Sequence, residues 1–128
     1  MNNRVMAVVD DMFFAAKIRG TAEQYGVRVD FARSADAIFE TATEEPPSLL
    51  IIDLNAQRTD PFALAERLKA DERLRSVPIL GFFSHVQTEL QNRALASGFD
   101  RVLPRSAFTK KLPEILQGKL AGENASPD

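Results

Sequence analysis

The sequence predicts an α/β domain with a five-stranded parallel sheet covered by helices on both faces. Short continuous apolar runs alternate with stretches of helical periodicity five times along the 128 residues. Buried parallel strands have this unbroken apolar character, and amphipathic helices have the periodic one. The helical stretches between the runs are too long for hairpins, so each of them joins two strands by a right-handed crossover. A doubly wound sheet follows from these two observations.

Five strands are expected from the apolar runs, at residues 4–9, 27–31, 48–52, 79–83 and 101–103. The second run alternates apolar and polar residues, which is typical of a half-exposed strand at the edge of a sheet. With that strand at one edge, the flavodoxin-like order 2-1-3-4-5 places the first and third strands side by side, where the strand order reverses.

The helices are expected from apolar stripes and from signals at their ends. Gly26 and Gly98 are expected to end the first and fourth helices, Ser34 to cap the second, and Asp60 with Pro61 to begin the third. The residues expected on the buried faces of the five helices are Phe14, Ile18, Ala22, Tyr25, Ala35, Ile38, Ala42, Phe62, Ala65, Leu68, Leu90, Ala94, Phe108, Leu112, Ile115, Leu116 and Leu120. The neighbours Phe13–Phe14 and Phe82–Phe83 are each expected to place only one ring inward.

Composition bounds the class of protein. With 45 % hydrophobic residues, the chain is long enough for one domain with its own core, which we place at residues 1–121, before a flexible tail at 122–128. The 16 basic and 18 acidic residues are well mixed, which argues against nucleic-acid binding. Cysteine is absent, which excludes disulfides and thiol chemistry. No apolar run approaches the roughly 20 residues of a membrane span, so we expect a cytoplasmic protein.

Carboxylates follow two of the predicted strands. Asp10 and Asp11 come directly after the first strand, and Asp53 comes directly after the third. Because the carboxyl ends of neighbouring parallel strands share one edge, the three side chains should converge there. Like charges so close favour a hard divalent cation, which we take to be Mg²⁺, with the carbonyl of Asn55 as a further oxygen ligand. The alternative is that an Asp-Asp pair only caps a helix N-terminus.

A carboxylate beside a bound divalent cation can act as a nucleophile toward phosphorus, because the cation neutralises the phosphoryl oxygens. Asp53 is the best candidate nucleophile, since it stands alone at the end of its strand, across from Asp10 and Asp11. The expected product is an aspartyl phosphate. A metal-dependent phosphohydrolase is disfavoured, because no second carboxylate stands two residues after Asp53 to act as acid or base.

With these residues in place, the chain resembles the CheY-like receiver domain of two-component response regulators over about residues 4–120. The resemblance depends on the acidic pair and on the segment 51–55 around Asp53. It implies that Asp53 is the phosphoacceptor, that Asp11, Asp53 and the Asn55 carbonyl bind Mg²⁺, and that Asp10 orients the metal through water. It also implies a signalling domain rather than an enzyme, with no chemistry beyond its own phosphorylation.

The same resemblance implies the partners. The phosphoryl group would come from a histidine kinase or a phosphotransfer protein in a phosphorelay. The output would pass through contacts with a protein target that the sequence does not name. Homodimer formation is a further expectation from the family.

Three positions depart from the family pattern. Phe83 stands where the family has Thr or Ser, Val102 where it has an aromatic switch residue, and Arg105 where it has the lysine that pairs with the phosphoryl group. Arginine keeps the charge but is longer and planar, so Arg105 is either the phosphate partner or a solvated cation at the strand end. We expect Phe83 to fill the inward site of the missing ring and to hold one conformation.

Two functions of different classes remain open. The first is an atypical receiver that switches when Asp53 is phosphorylated, and the three retained aspartates support it. The alternative is a pseudo-receiver, a phosphorylation-independent interaction module whose fourth helix, fifth strand and fifth helix form a fixed binding face. The three departures from the family pattern support this alternative.

Overall fold

Strands and helices alternate strictly in the computed structural model, which describes residues 4–42, 44–84 and 88–118. The elements are β1 (Arg4–Val8), α1 (Met12–Gln24), β2 (Arg28–Phe31), α2 (Ala35–Ala42), β3 (Leu49–Asp53), α3 (Pro61–Ala70), β4 (Ile79–Phe83), α4 (Thr88–Ser97), β5 (Arg101–Pro104) and α5 (Arg105–Leu116). All strands are parallel, in the order β2-β1-β3-β4-β5. The predicted fold class and strand order are confirmed. The predicted tail and Leu120 lie outside the described residues.

The strands begin and end within one residue of the predicted bounds. β1, β3 and β4 are buried along their whole length, whereas Arg28 in β2 is exposed, as expected for an edge strand. Val8 pairs with Ile52, and Asp53 pairs with Phe82. The chain therefore leaves β1, β3 and β4 at neighbouring points of one sheet edge, where the predicted site lies.

The sheet separates two apolar cores, one against α1 and α5 and the other against α2, α3 and α4. Successive residues of a strand point to opposite faces, so Phe82 lies in the first core and Phe83 in the second. The prediction that only one of these two rings points inward is wrong: they are 0 % and 3 % exposed, because helices cover both faces of β4. Phe13 and Phe14 do divide as predicted, since Phe14 is buried and Phe13 is 91 % exposed.

Two of the predicted helix starts show their capping hydrogen bonds. Ser34 Oγ accepts a hydrogen bond from the N–H of Ala37 at 3.1 Å. Asp60 Oδ1 accepts one from the N–H of Phe62 at 3.0 Å, with Pro61 at the first position of α3. These bonds satisfy donors that a helix start leaves without an internal partner, which is why such residues mark the start in the sequence.

The predicted helix faces are buried with few exceptions. Ala35 and Leu90 are only partly buried and pack against the edge of the second core. The prediction for Tyr25 is wrong, because this residue ends α1 and is 47 % exposed. The chain turns there into Gly26, whose φ of 68° is the left-handed conformation that glycine adopts without strain. None of the helices in the described ranges is long and apolar enough to cross a membrane.

Gly81 is a packing position in the middle of β4. A Cβ atom there would lie 2.8 Å from two ring carbons of Phe99, which is itself buried. We expect Gly81→Ala to lower the free energy of unfolding by about 1–3 kcal/mol, because an overpacked core must shift. Urea unfolding measures the change. Gly20→Ala is the control, since nothing lies within 4 Å of its Cβ, and a gain of about 0.5–1 kcal/mol is expected there. Equal stabilities of Gly81→Ala and wild type would contradict the packing.

Candidate functional site

Asp53 is the last residue of β3 and the most enclosed member of the acidic group, with 5 % of its surface exposed. Its Oδ1 accepts a hydrogen bond from the N–H of Asn55 at 2.8 Å. Burial raises the pKa of Asp53, and the negative charges of Asp10 and Asp11 raise it further, while the Asn55 N–H and the positive charge of Arg105 oppose the rise. The structure therefore brings the predicted aspartates and Arg105 within electrostatic reach of one another.

Asp11 uses both of its carboxylate oxygens. Oδ1 caps α1 by accepting hydrogen bonds from the N–H groups of Phe13 at 2.9 Å and Phe14 at 3.1 Å. Oδ2 accepts a hydrogen bond from Nη2 of Arg105 at 3.1 Å. The pKa of Asp11 is lowered, first by the Phe14 N–H and then by Arg105. The helix-capping alternative therefore describes Asp11 correctly, although the ion pair gives it a second contact.

Arg105 begins α5 and reaches back over the start of α1. Its guanidinium carbon lies 4.1 Å from the centre of the Phe14 ring and 6.0 Å from that of Phe82. A cation over an aromatic face is held electrostatically as well as by packing. The Nε–H of Arg105 is buried and has no hydrogen-bond acceptor within the described part of the chain. Arg105 is thus a fixed cation at the site with one donor unused.

Asp10 joins the end of β1 to the loop between β3 and α3. Its Oδ2 accepts a hydrogen bond from the N–H of Gln57 at 2.8 Å and a longer one from that of Arg58 at 3.4 Å. Asn55 makes a similar link to the end of β4, where its Oδ1 accepts from the N–H of Ser84 at 2.9 Å. Sequence reasoning missed these contacts, because they depend on backbone N–H groups that every residue offers and that no pattern distinguishes.

Two of the departures from the family pattern lie together in the second core. Phe83 and Val102 are 3 % and 1 % exposed and belong to the same apolar cluster beneath α4. Ser84, the neighbouring hydroxyl residue, is exposed. The large ring of Phe83 therefore occupies the interior, and no hydroxyl group stands at that position of β4.

The donor set suits a hard cation, since it consists of carboxylate oxygens and the carbonyl of Asn55. Its arrangement is less favourable. Among the described residues, no group of three or more Asp, Glu, His or Cys side chains is placed to hold a metal ion. One oxygen of Asp11 caps α1 and the other is bound to Arg105. Binding of Mg²⁺ by that second oxygen would require the release of Arg105, and the magnesium site stays a prediction.

Together, the doubly wound fold and the acidic group at the carboxyl edge of its central strands define a CheY-like signalling domain. The sequence model of the response regulator receiver domain matches residues 5–117. The chain belongs to this family, whose members act in two-component signalling. Receiver domains interact with histidine kinases or phosphotransfer proteins, and they generally bind Mg²⁺ at the phosphorylation site.

Similar proteins agree with this assignment. Response regulator Rre1 of Synechocystis sp. is 25 % identical over 101 residues, which are 79 % of this chain and 44 % of Rre1. The chain thus spans less than half the length of that relative. Chemotaxis response regulator CheY4 of Vibrio cholerae has a TM-score of 0.78 at 20 % identity, with 91 % of this chain and 98 % of that one covered. The phosphorylated cyanobacterial phytochrome response regulator RcpA has a TM-score of 0.75 at 18 % identity, with 92 % and 91 % covered.

Proposed function

We propose that this protein is an atypical receiver of the cytoplasm that accepts a phosphoryl group on Asp53 and signals through protein contacts. The observation that carries the proposal is a buried carboxylate at the end of β3 within electrostatic reach of a guanidinium that has an unused buried donor. The structural neighbour RcpA is described as phosphorylated, which supports the same chemistry here. The protein that donates the phosphoryl group is a histidine kinase or a phosphotransfer protein. The chain itself has no enzymatic activity beyond its own phosphorylation.

Phosphoryl transfer to Asp53 is a substitution at phosphorus. One carboxylate oxygen of Asp53 forms a bond to phosphorus, the bond from phosphorus to the donor breaks, and its electron pair stays on the donor. Mg²⁺, held by Asp10, Asp11, Asp53 and the Asn55 carbonyl, would neutralise the phosphoryl oxygens.

The backbone around Asp53 positions its carboxylate. The N–H of Asn55 holds Oδ1 at 2.8 Å, so this carboxylate needs little reorganisation before it attacks.

Arg105 takes two roles in this proposal. Before phosphorylation it neutralises Asp11 and opposes the repulsion among the three carboxylates. After phosphorylation its unused Nε–H has phosphoryl oxygens available as acceptors, and charge-assisted bonds of this kind are among the stronger hydrogen bonds. Arg105 would therefore leave Asp11 for the phosphoryl group, which couples the start of α5 to the modification of Asp53.

A phosphorylation-independent interaction module is the second candidate, and a specific observation favours it. Phe83 and Val102 fill the core beneath α4. They replace the hydroxyl residue and the aromatic switch residue of the family, so neither side chain can make the family's switch from one packing to the other. In this case α4, β5 and α5 present one fixed surface to a partner. A homodimer through the same elements belongs to either candidate.

Amide NMR titration with Mg²⁺, followed by beryllofluoride as a mimic of the phosphoryl group, tests the proposal. We expect saturable Mg²⁺ shifts at Asp10, Asp11 and Asp53 and further beryllofluoride shifts that reach residues 88–116. Arg105→Gln should bind Mg²⁺ about tenfold more tightly, a change of about 1.4 kcal/mol. A partly exposed ion pair contributes up to about 1 kcal/mol, and removal of the repulsion between guanidinium and Mg²⁺ adds to that.

Arg75→Gln is the matched control, because the Arg75 side chain is exposed and lies outside the site. Its Mg²⁺ affinity should equal that of the wild type. If neither the wild type nor Arg105→Gln shows saturable shifts, the phosphoacceptor proposal fails and the fixed interaction module is the better account.

A further inference from the structure

A second pocket lies beside the acidic site, on the β2 side of α1. Its volume is about 410 Å³, and its walls come from the end of β1, the first half of α1, the end of β2 and the loop before α3. Arg105 approaches α1 from the α5 side, so the pocket and the ion pair flank the same helix. In open α/β sheets, ligands bind outside the carboxyl ends of the strands, and this pocket lies at the carboxyl ends of β1 and β2, next to the point between β1 and β3 where the strand order reverses.

Three arginines line the pocket: Arg19 from α1, Arg33 after β2 and Arg58 before α3. None of them forms an ion pair with a carboxylate anywhere in the described part of the chain. The one acidic residue in the lining is Asp10, whose Oδ2 already accepts from the N–H of Gln57. The pocket lining therefore carries three positive charges against the one negative charge of Asp10.

The arginines of another cavity in the molecule, by contrast, are paired with carboxylates. The cavity between α2 and α3 is also lined by two arginines, but Arg67 is paired with Asp36 at 3.1 Å and Arg73 with Asp71 at 3.6 Å. Their charges are satisfied within the chain. The three arginines of the pocket beside β1 have no such carboxylate partner among the described residues.

The remaining walls of the pocket are apolar. Phe31 lies under the guanidinium of Arg19, 4.8 Å from ring centre to carbon, so both groups are held in place. Met12 also lines the pocket, with 82 % of its surface exposed. A ligand for this pocket thus has an apolar part as well as negative charge.

We propose that this pocket binds a small phosphate-bearing organic anion. Arginine is the residue best suited to phosphate, because its planar fork donates two parallel hydrogen bonds to phosphate oxygens. The volume lies within the range of small-molecule sites and is too small for a folded partner. The lining includes none of Asp11, Asp53 and Arg105, so the site is separate from the proposed phosphoacceptor site and shares only Asp10 with it.

Amide NMR titration at low ionic strength with phenyl phosphate and with inorganic phosphate tests this proposal. We expect saturable shifts at residues 31–33 and 57–58, with phenyl phosphate bound more tightly than inorganic phosphate because of the apolar wall. The double variant Arg33→Gln/Arg58→Gln should lose affinity about tenfold or more. Both arginines are exposed, so the variant should keep the fold, which the amide spectrum itself reports.

One control variant and the position of the shifts make the outcomes decisive. Arg75→Gln, which removes an exposed arginine elsewhere, should bind as the wild type does. An equal loss in Arg75→Gln would mean non-specific attraction and would overturn the proposal. Shifts that do not saturate, or equal affinity for the two probes, would overturn it as well. Shifts centred on Asp53, Asn55 and Arg105 would assign the anion to the acidic site instead and would also overturn it, whereas failure of Asp53 phosphorylation alone leaves this test unaffected.

Discussion

Replacing Asp53 with asparagine is expected to abolish phosphorylation of the protein and at the same time to stabilise its fold at neutral pH. The amide cannot act as the nucleophile, whereas its oxygen can still accept the hydrogen bond from the N–H of Asn55. Stability should rise because the wild-type carboxylate is 5 % exposed and lies near Asp10 and Asp11. Intact mass after incubation with acetyl phosphate and Mg²⁺ measures the first effect, and thermal unfolding measures the second.

The sign of the pH dependence follows from the direction of the shift. Burial raises the pKa of Asp53 in the folded protein, so the unfolded chain loses this proton more readily and the fold is penalised at neutral pH. As the pH falls through the raised pKa, the wild-type carboxyl becomes protonated, and the advantage of Asp53→Asn should disappear.

Asp30→Asn is the matched control, and the opposite sign is expected there. Asp30 accepts a hydrogen bond from Nε of the buried Arg4 at 2.8 Å, and this bond is the main reason that the pKa of Asp30 is lowered. Its removal leaves a buried guanidinium with fewer partners, so stability should fall. The stabilising contribution of Asp30 is present at neutral pH and is lost as the pH falls through its lowered pKa.

Phosphorylation that persists in Asp53→Asn would show that another residue is the acceptor.

Phe82→Ala is expected to lower the free energy of unfolding by about 3–5 kcal/mol. Phe82 is fully buried and contacts two other rings, with centroid distances of 4.9 Å to Phe14 and 4.7 Å to Phe108. This three-ring cluster joins α1, β4 and α5, and the guanidinium of Arg105 lies over the Phe14 ring. The truncation should therefore weaken the fold and loosen Arg105 together. Urea unfolding measures the first effect, and the Arg105 Nε–H resonance reports the second.

Phe13→Ala is the comparison for this substitution. Phe13 is 91 % exposed, so its truncation should change stability by no more than about 0.5 kcal/mol. Phe82→Leu keeps most of the apolar volume and should fold even if the alanine variant does not, with a smaller loss of stability. If Phe82→Ala lowered the free energy of unfolding by less than about 1 kcal/mol, the cluster of three rings would not be a main support of the core.

The two functional candidates differ in what Arg105 does. In the receiver, Arg105 moves from Asp11 to the phosphoryl group, and α5 senses the change. In the interaction module, the 3.1 Å ion pair to Asp11 is permanent and holds α5 against α1. Beryllofluoride shifts that reach residues 88–116 therefore separate the candidates, because the receiver requires them and the fixed module does not.

The fold of this protein could be predicted from its sequence alone. Unbroken apolar runs and periodic stripes are local patterns, and each of them reflects the burial of a whole strand face or helix face. They predicted the bounds of each strand to within one residue and the strand order of the sheet. They also predicted that Asp10, Asp11 and Asp53 lie at the same edge of the sheet. Residues that cap helices could be identified for the same reason, because their partners lie two or three residues away.

The contacts within the site depend on packing between distant segments and could not be predicted from the sequence. Asp11 and Arg105 are 94 residues apart in the chain, and Asp10 and Gln57 are 47 apart. No local period records such pairs, since they depend on where two loops meet after the sheet has formed. The burial of both Phe82 and Phe83 is a different case, because it follows from the predicted doubly wound fold, in which helices cover both faces of a central strand. The sequence thus set which groups reach the site, and packing between distant segments set which oxygen each donor binds.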